Sequence, residues 1–358
     1  MTPKTTALLL ATAFGLTGTT VAADDPPVPI IISTDTATGL IGGWVPGASD
    51  VDDGLAIAMA IDSPRLDVRG IVVTWGNTFV DPSYTVAKRI VDGMGTSVPV
   101  VHGAPRALPR DPMSNYEGTA ITTACLNDGV RFMAGALEAA SEPVTIIAIG
   151  PLTDLACLAV NYPDAIGNIE RAVVTGGRDP HQRLEIAGIR IGDFNMAIDI
   201  PAVKYLLNET TIPIRFMSYG LTSSFLVPSS DRNVLCQSTL PIATDFLCPA
   251  LVPWIDQWRD TFGEDGFHPW DQNAVFVTAE PDAFICEPAQ YTIVDCSKGD
   301  CAGHEAPLPF LVALETDQVW LTPDGDSDRI EMCRSYAPGD GKARFSEAIY
   351  AFARDKPQ

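Results

Sequence analysis

Positive charge is what this 358-residue sequence has least of. Its 23 Lys and Arg stand against 45 Asp and Glu, a formal net charge of −22. Proteins that bind DNA or RNA neutralise phosphates with Lys and Arg, so this balance argues against a nucleic-acid partner. Long apolar runs are also missing. The segment Ala7 to Leu16 is too short to cross a bilayer, and no later stretch is long and apolar enough for a membrane helix, so no membrane partner is expected. The chain carries no C-x-x-C pair of the kind that holds structural zinc. It shows no internal repeat and no long low-complexity linker. Its apolar fraction, 46%, argues against disorder.

What is present begins with a leader. Lys4 supplies a positive charge ahead of the apolar Ala7–Leu16, and Val21-Ala22-Ala23 is a small-residue cleavage site. This pattern predicts a secretory signal over residues 1–23, followed by one large unit over 24–358 that acts outside the cell. Eight cysteines, an even number in an exported chain, are expected to pair as disulfides, with buried free thiols as the alternative. Five of them fall from Cys248 to Cys333, so bridging is expected to concentrate in the C-terminal third. Their spacing leaves the pairing open. Asn208-Glu209-Thr210 is a glycosylation sequon, which matters only in a eukaryotic host.

After the stiff lead-in Asp24–Pro29, short β-branched runs alternate with helical patterns. Strands are predicted at Pro29–Ser33, Val68–Thr74, Val98–Val101, Val144–Ile149, Arg171–Thr175 and Pro213–Ser218. Helices are predicted at Asp53–Ile61, Ser83–Met94, Gly129–Ala140, Leu152–Val160 and Pro201–Leu207. Continuous apolar strands separated by helices indicate an α/β fold, an open and mostly parallel sheet with helices on both faces. Ligands of such sheets sit at the carboxyl ends of the strands. Beyond Ser223 the pattern loosens: Ser223–Asp265 reads as helical and irregular, residues 285–340 as a small β-rich layer, and Ala343–Arg354 as a closing helix.

The residues that follow the first strand carry the chemistry. Asp35 stands at its carboxyl end. A Gly-rich segment with Trp44 follows, then Asp50-Val51-Asp52-Asp53 and an apolar helix. One Asp there is an ordinary helix cap. Two or three adjacent carboxylates joined to a strand-end carboxylate repel one another unless a cation neutralises them. All-oxygen ligands suit Ca²⁺ or Mg²⁺ and not zinc. Other strand ends add Gly150-Pro151-Leu152-Thr153-Asp154 and Gly176-Gly177, and further along come Gly192-Asp193-Phe194-Asn195 and His268-Pro269-Trp270-Asp271. Each of these alone is more often a turn or a cap than a ligand.

Taken in order from Ile30 to Asp282, these segments resemble the inosine–uridine nucleoside hydrolase family, closer to its purine-preferring branch. Ser33-Thr34-Asp35 and Asp52-Asp53 resemble its opening strand–Asp and helix-start Asp-Asp. Thr74-Trp75-Gly76-Asn77 is similar to its Gly-Asn after the second strand, and Val98-Pro99-Val100-Val101-His102-Gly103-Ala104 to its Val-Pro-Val…Gly-Ala step. Gly150-Pro151-Leu152-Thr153-Asp154-Leu155-Ala156 resembles its Gly-Pro-Leu-Thr-Asn segment, Asp193-Phe194-Asn195…Asp199-Ile200-Pro201-Ala202 its Glu-Phe-Asn…Asp-Pro-x-Ala, and Trp270-Asp271 its late Asp.

The resemblance implies hydrolysis of the N-glycosidic bond of ribonucleosides with one bound Ca²⁺. The implied ligands are Asp35, Asp53, the carbonyl of Thr153 and Asp271. Asp35 is the implied general base, and Asp52, Asn77, Asp193 and Asn195 the implied ribose contacts. Trp270 stands where some members carry a proton-donating His, and its ring favours stacking on a purine. His268 is nearby, either as a proton donor or as a structural residue. Family members are often dimers or tetramers, so a homodimer or homotetramer is implied as well. The departures are specific. Asp35 and Asp52 lie 17 positions apart, where the family has a short turn, so the inserted segment is either a lid carrying Trp44 or an inert surface loop. Ser33 replaces an Asp, Asp193 replaces a Glu, Thr175 replaces a Met, and Glu185-Ile186-Ala187-Gly188 stands where a ribose-contacting Asn is expected. Two other readings follow from these departures. One is a non-catalytic extracellular protein that binds calcium and nucleosides or sugars. The other is a hydrolase of a different N-ribosyl bond.

Overall fold

The computed structural model describes residues 26–42, 47–108, 125–296, 301, 317–323 and 328–354; the leader, its cleavage site and Trp44 lie outside these residues. Among them, nine strands share one sheet. In chain order they are β1 (Val28–Thr34), β2 (Leu66–Val73), β3 (Val100–His102), β4 (Val144–Ala148), β5 (Ile169–Thr175), β6 (Ile214–Met217), β7 (Phe284–Asp295), β8 (Asp317–Pro323) and β9 (Ile330–Tyr336). Their order across the sheet is β8-β7-β9-β6-β5-β4-β1-β2-β3. Every neighbouring pair from β3 to β9 is parallel, and β7 runs antiparallel to both β9 and β8. The longer helices are α1 (Asp52–Asp62), α2 (Val80–Gly93), α3 (Asp128–Ala139), α4 (Thr153–Asn161), α5 (Ile200–Glu209), α6 (Cys248–Phe262), α7 (Trp270–Ala279) and α8 (Gly341–Ala348).

The alternation of side chains along each strand divides the interior into two cores. Ile30, Ile32, Ile71, Val73, Ile147 and Val173 pack on the side covered by α1, α2, α6 and α7. Ile31, Val72, Ile146, Ala172, Val174 and Phe216 pack on the side covered by α3, α4 and α5. Burial on both faces is why these strands read as continuous apolar runs. Burying each such side chain contributes about 1.5–3 kcal/mol relative to leaving it exposed.

The predicted elements are present with shifted ends. α2 begins at Val80, ahead of the predicted Ser83, because Pro82 falls in its first turn, where a missing N–H breaks no bond. β3 starts at Val100 because Pro99 has no N–H to give the sheet, though its carbonyl accepts from Ile71 N at 2.8 Å. Residues 285–340 do not form a separate layer. β9 pairs parallel with β6, Ile330 opposite Ile214 and Cys333 opposite Met217, so the segment extends the main sheet. The closing helix stops at Ala348, and a 3₁₀ turn follows at Ala351–Ala353.

All eight cysteines are bridged: Cys125–Cys157, Cys236–Cys248, Cys286–Cys333 and Cys296–Cys301. The bridges are spread more evenly than the crowding of cysteines implied, since Cys248 pairs backwards and Cys125 joins the approach to α3 to the middle of α4. Both members of that last bridge are buried, and it closes a 32-residue separation. Replacing Cys125 and Cys157 together by Ser is therefore expected to cost about 2–4 kcal/mol, read as a lower urea midpoint than that of the unaltered protein.

Candidate active site

The carboxyl ends of the parallel strands converge, as a sheet of this kind requires. β1 leads into Asp35, β2 into Trp75-Gly76-Asn77, β4 into Ile149-Gly150 and β5 into Gly176-Gly177. They border a cavity of about 430 Å³ whose wall includes Asp52, Asn77, Asp193, Asn195, Trp270 and Asp271. Asp35 and Asp53, both with no exposure, sit behind Asn77. The main-chain N–H of Asn77 donates to Asp35 Oδ2 at 2.6 Å, and its side-chain amide donates to Asp53 Oδ2 at 3.1 Å.

Two helix starts deliver the remaining carboxylates. Asp52 and Asp53 open α1 and Asp271 lies in the first turn of α7, where the helix dipoles favour negative charge. One oxygen from each of these three residues lies within 4.8 Å of the others. Asp52 Oδ2 accepts from Asp271 N at 3.3 Å, and Asp53 Oδ1 accepts from Thr34 Oγ1 at 2.5 Å. The simple capping account fails for α1. Its N-cap is Val51, and the first-turn N–H of Gly54 is taken by Thr38 Oγ1 at 3.2 Å. Burial and mutual repulsion push the group upward in pKa. Asp35 is raised by burial and then by Asp53, Asp52 by burial and then by Asp271, and Asp271 by burial and then by Asp53. Burial raises Asp53 to about 7, with the Thr34 hydrogen bond pulling the other way.

Asp35 Oδ1 is buried without any hydrogen-bond partner, and no Lys, Arg or His is among the described residues that line the cavity. Converging carboxylate oxygens, one of them orphaned, and no cationic side chain form a donor set that fits a hard divalent cation. Thr153 stands apart from this set. It is the first residue of α4, its hydroxyl donates to Asp199 Oδ2 at 2.5 Å and accepts from Trp75 Nε1 at 3.1 Å, and it does not line the cavity. The cavity residue from that strand end is Ile149, whose carbonyl accepts from Asn195 Nδ2 at 3.2 Å.

On the far side, Asp193 accepts from Gly177 N at 2.8 Å, which anchors it to the β5 turn. Where the ribose-contacting Asn was missing, Glu185–Ile186 and Ile189–Arg190 form a hairpin. Its segment lines the cavity with Leu184, Ile186 and Ile191, an apolar surface. Trp270 presents its ring to the cavity while its N–H donates to Ser223 Oγ at 3.1 Å. His268 is structural. Its Nδ1 donates to the Phe225 carbonyl at 2.8 Å, its Nε2 faces Glu264 at 3.2 Å, and its ring stacks near Trp270.

Several wall residues had no role in the sequence reading, among them Trp75, Asp50, Tyr219 and Trp254. Trp75 and Asp50 lie inside motifs already marked, and Tyr219 follows the end of β6, where the strand-end rule would have found it. Trp254, from α6, carries no local signal. The described ends of the inserted segment pack against the body of the protein. Ala48 N donates to Gln257 Oε1 on α6 at 2.8 Å, Gly39 packs on Phe246, and Ala48, Ser49 and Asp50 form part of the wall.

Fold and site together define a class: an α/β enzyme whose pocket joins buried carboxylates to aromatic walls. The inosine-uridine preferring nucleoside hydrolase model matches residues 30–328. The chain belongs to that family and is thereby an N-glycosyl hydrolase. The non-specific ribonucleoside hydrolase RihC of Klebsiella pneumoniae subsp. pneumoniae is 30% identical over 275 residues, covering 73% of this chain and 82% of that protein. The pyrimidine-specific ribonucleoside hydrolase RihA of Citrobacter koseri is 28% identical over 206 residues, which span 54% of this chain and 64% of RihA. Among solved structures, the purine-preferring ribonucleoside hydrolase from Gardnerella vaginalis superposes with a TM-score of 0.68 at 18% identity, covering 91% of this chain and 99% of that one.

Two outcomes follow from the geometry. Gly76 has φ +153°, and a Cβ there would collide with the Asp35 carboxylate. Gly76→Ala is expected to cost about 1–3 kcal/mol in the urea midpoint, whereas Gly135→Ala, on α3 with nothing nearby and an ordinary helical φ, keeps the site intact. In protein stripped of metal, Asp53 titrates near 7 when folded against 3.8 as its ordinary value. The folded state holds the extra proton, so this contribution to stability is whole below 3.8 and lost as pH rises through about 7. The urea midpoint should fall across that window, and Asp53→Asn should flatten the slope.

Proposed function

We propose that this enzyme hydrolyses ribonucleosides, with a lean to purines, to free base and ribose, and that it uses Ca²⁺ to do so. The observation that carries the reading is the buried carboxylate group with the orphaned Asp35 Oδ1, set beneath a cavity walled by Trp75, Trp254 and Trp270. Asp35, Asp53 and Asp271 would hold the cation. A main-chain oxygen at the end of β4 would complete the set, and Ile149, which lines the cavity, suits that role better than Thr153. When bound, such a cation supplies Lewis acidity that activates water and orients sugar hydroxyls.

The protein's own groups do the rest. Asp35 accepts the proton of the attacking water. Asp52 and Asn77 on one side, and Asp193 and Asn195 on the other, hold ribose hydroxyls. As the C–N bond breaks the sugar gains oxocarbenium character, and the surrounding carboxylates stabilise that positive charge. The ring of Trp270 offers a stacking surface that suits a large base. The purine preference named for the Gardnerella vaginalis enzyme agrees with this. The names of RihC and RihA point to broader or pyrimidine use in those proteins, so the lean rests on the Trp walls.

The bridged cysteines suit an oxidising compartment. With the leader pattern at residues 1–23 they support secretion of a unit spanning 24–358.

Inosine, guanosine and adenosine incubated with the purified protein should each release base and reducing sugar. Treatment with a chelator should abolish the release, and Ca²⁺ should restore it. Asp35→Asn should lower kcat by about 10²–10⁴-fold. A folded, Ca²⁺-binding protein that binds inosine and turns over no nucleoside would instead establish the binding-protein reading.

A further inference from the structure

Four tryptophans among the described residues give their indole N–H to a protein oxygen. Trp75 donates to Thr153 Oγ1 at 3.1 Å, Trp258 to Glu264 Oε2 at 3.3 Å, Trp270 to Ser223 Oγ at 3.1 Å and Trp320 to Gln318 Oε1 at 3.0 Å. Trp254 differs. Its Nε1 is buried with no partner, yet the residue, only 5% exposed, lines the cavity. Buried indole N–H groups normally find an acceptor, and this one has none among the described residues.

We propose that Trp254 donates a hydrogen bond to the departing base and is the leaving-group donor of the reaction; this rests on the hydrolase reading above. Its position is fixed. Trp254 lies on α6, which the inserted segment braces through Ala48 N and Gln257 Oε1. Its ring packs on Trp258 at 5.3 Å between centroids, and Trp258 packs on Trp270 at 5.5 Å. The spare donor and the stacking ring are thus joined through one intervening indole on the same side of the cavity.

The chemistry calls for such a donor. Water oxygen forms the new bond to the anomeric carbon, and one water proton passes to Asp35. The C–N bond breaks with its electron pair going to the base. Charge then gathers on the ring nitrogens and carbonyl of the base, and solvent finally supplies the proton that neutralises it. Trp254 keeps its own proton throughout and stabilises the charge by hydrogen bonding. Other groups nearby are committed. His268 is turned to Phe225 and Glu264. The Tyr219 hydroxyl donates to the Glu185 carbonyl at 2.5 Å. The Thr175 hydroxyl, also in the wall, is the exception: it is buried without a hydrogen-bond partner and lies by Asp271, on the carboxylate side.

The test compares two substrates in the full-length protein with Ca²⁺. Inosine leaves as a poor anion, and p-nitrophenyl β-D-ribofuranoside leaves as a stable one. Trp254→Phe keeps a ring and removes the donor. Its kcat/KM for inosine should fall about 10–100-fold, the size of one hydrogen bond to a charged acceptor, while the nitrophenyl riboside is hydrolysed at nearly the unaltered rate. Equal losses on both substrates, or no loss on either, would overturn the assignment. If the Phe variant does not fold, the shape-matched benzothiophene analogue of Trp at position 254 gives the same comparison. Should the unaltered protein hydrolyse neither substrate, the hydrolase reading fails separately. Calorimetric titration with inosine then decides the donor: weaker binding by the variant supports it, and equal binding removes it.

Discussion

Four carboxylates that cannot all be comfortably charged together are the constraint on which this protein is organised. Asp35, Asp52, Asp53 and Asp271 are all buried, the last three with oxygens within 4.8 Å of one another and Asp35 repelled by Asp53, and desolvation opposes their charge in every case. No cationic side chain lines the adjoining cavity to relieve them. Such a cluster persists only because the framework around it is rigid and already satisfied. Two closely packed cores clamp the strands, Asn77 and Thr34 hold Asp35 and Asp53 by hydrogen bonds, and Thr38 takes the Gly54 N–H that a capping carboxylate could otherwise claim.

The cavity is chemically divided. One side is ionic and oxygen-rich, built from strand ends and the first turns of α1 and α7. The other is aromatic and aliphatic, built from Trp270, Trp254, Tyr219 and the hairpin around Ile186. A nucleoside has the same division, a hydroxylated sugar joined to a flat heterocycle. The inserted segment between Asp35 and Asp52 contributes to both sides, since Asp50 comes from it and α6 is braced by it.

Much of this was legible in the sequence because it depends on local patterns. Unbroken β-branched runs such as Ile30–Ile32 and Val144–Ile147 gave the parallel sheet, and the residues after them gave Asp35, Asn77 and the carboxylates at the start of α1. What was not legible depended on long-range packing. Nothing local marks Trp254, which reaches the cavity only because α6 folds back against the inserted segment. The pairing of β9 with β6 joins residues far apart in the chain, so residues 285–340 read as a separate layer. Thr153 was drawn in by its motif for its carbonyl; that it lies outside the cavity wall, with its hydroxyl tied to Trp75 and Asp199, is something no spacing rule reveals.

Asn77 addresses Asp35 through its main chain and Asp53 through its side chain. One residue therefore sets the spacing between an oxygen carried on the first strand and another carried on the first helix. The loop after β2 acts as a gauge block, and it measures the separation of those oxygens without help from any ion. Any cation held there would meet two oxygens whose separation the chain has already set.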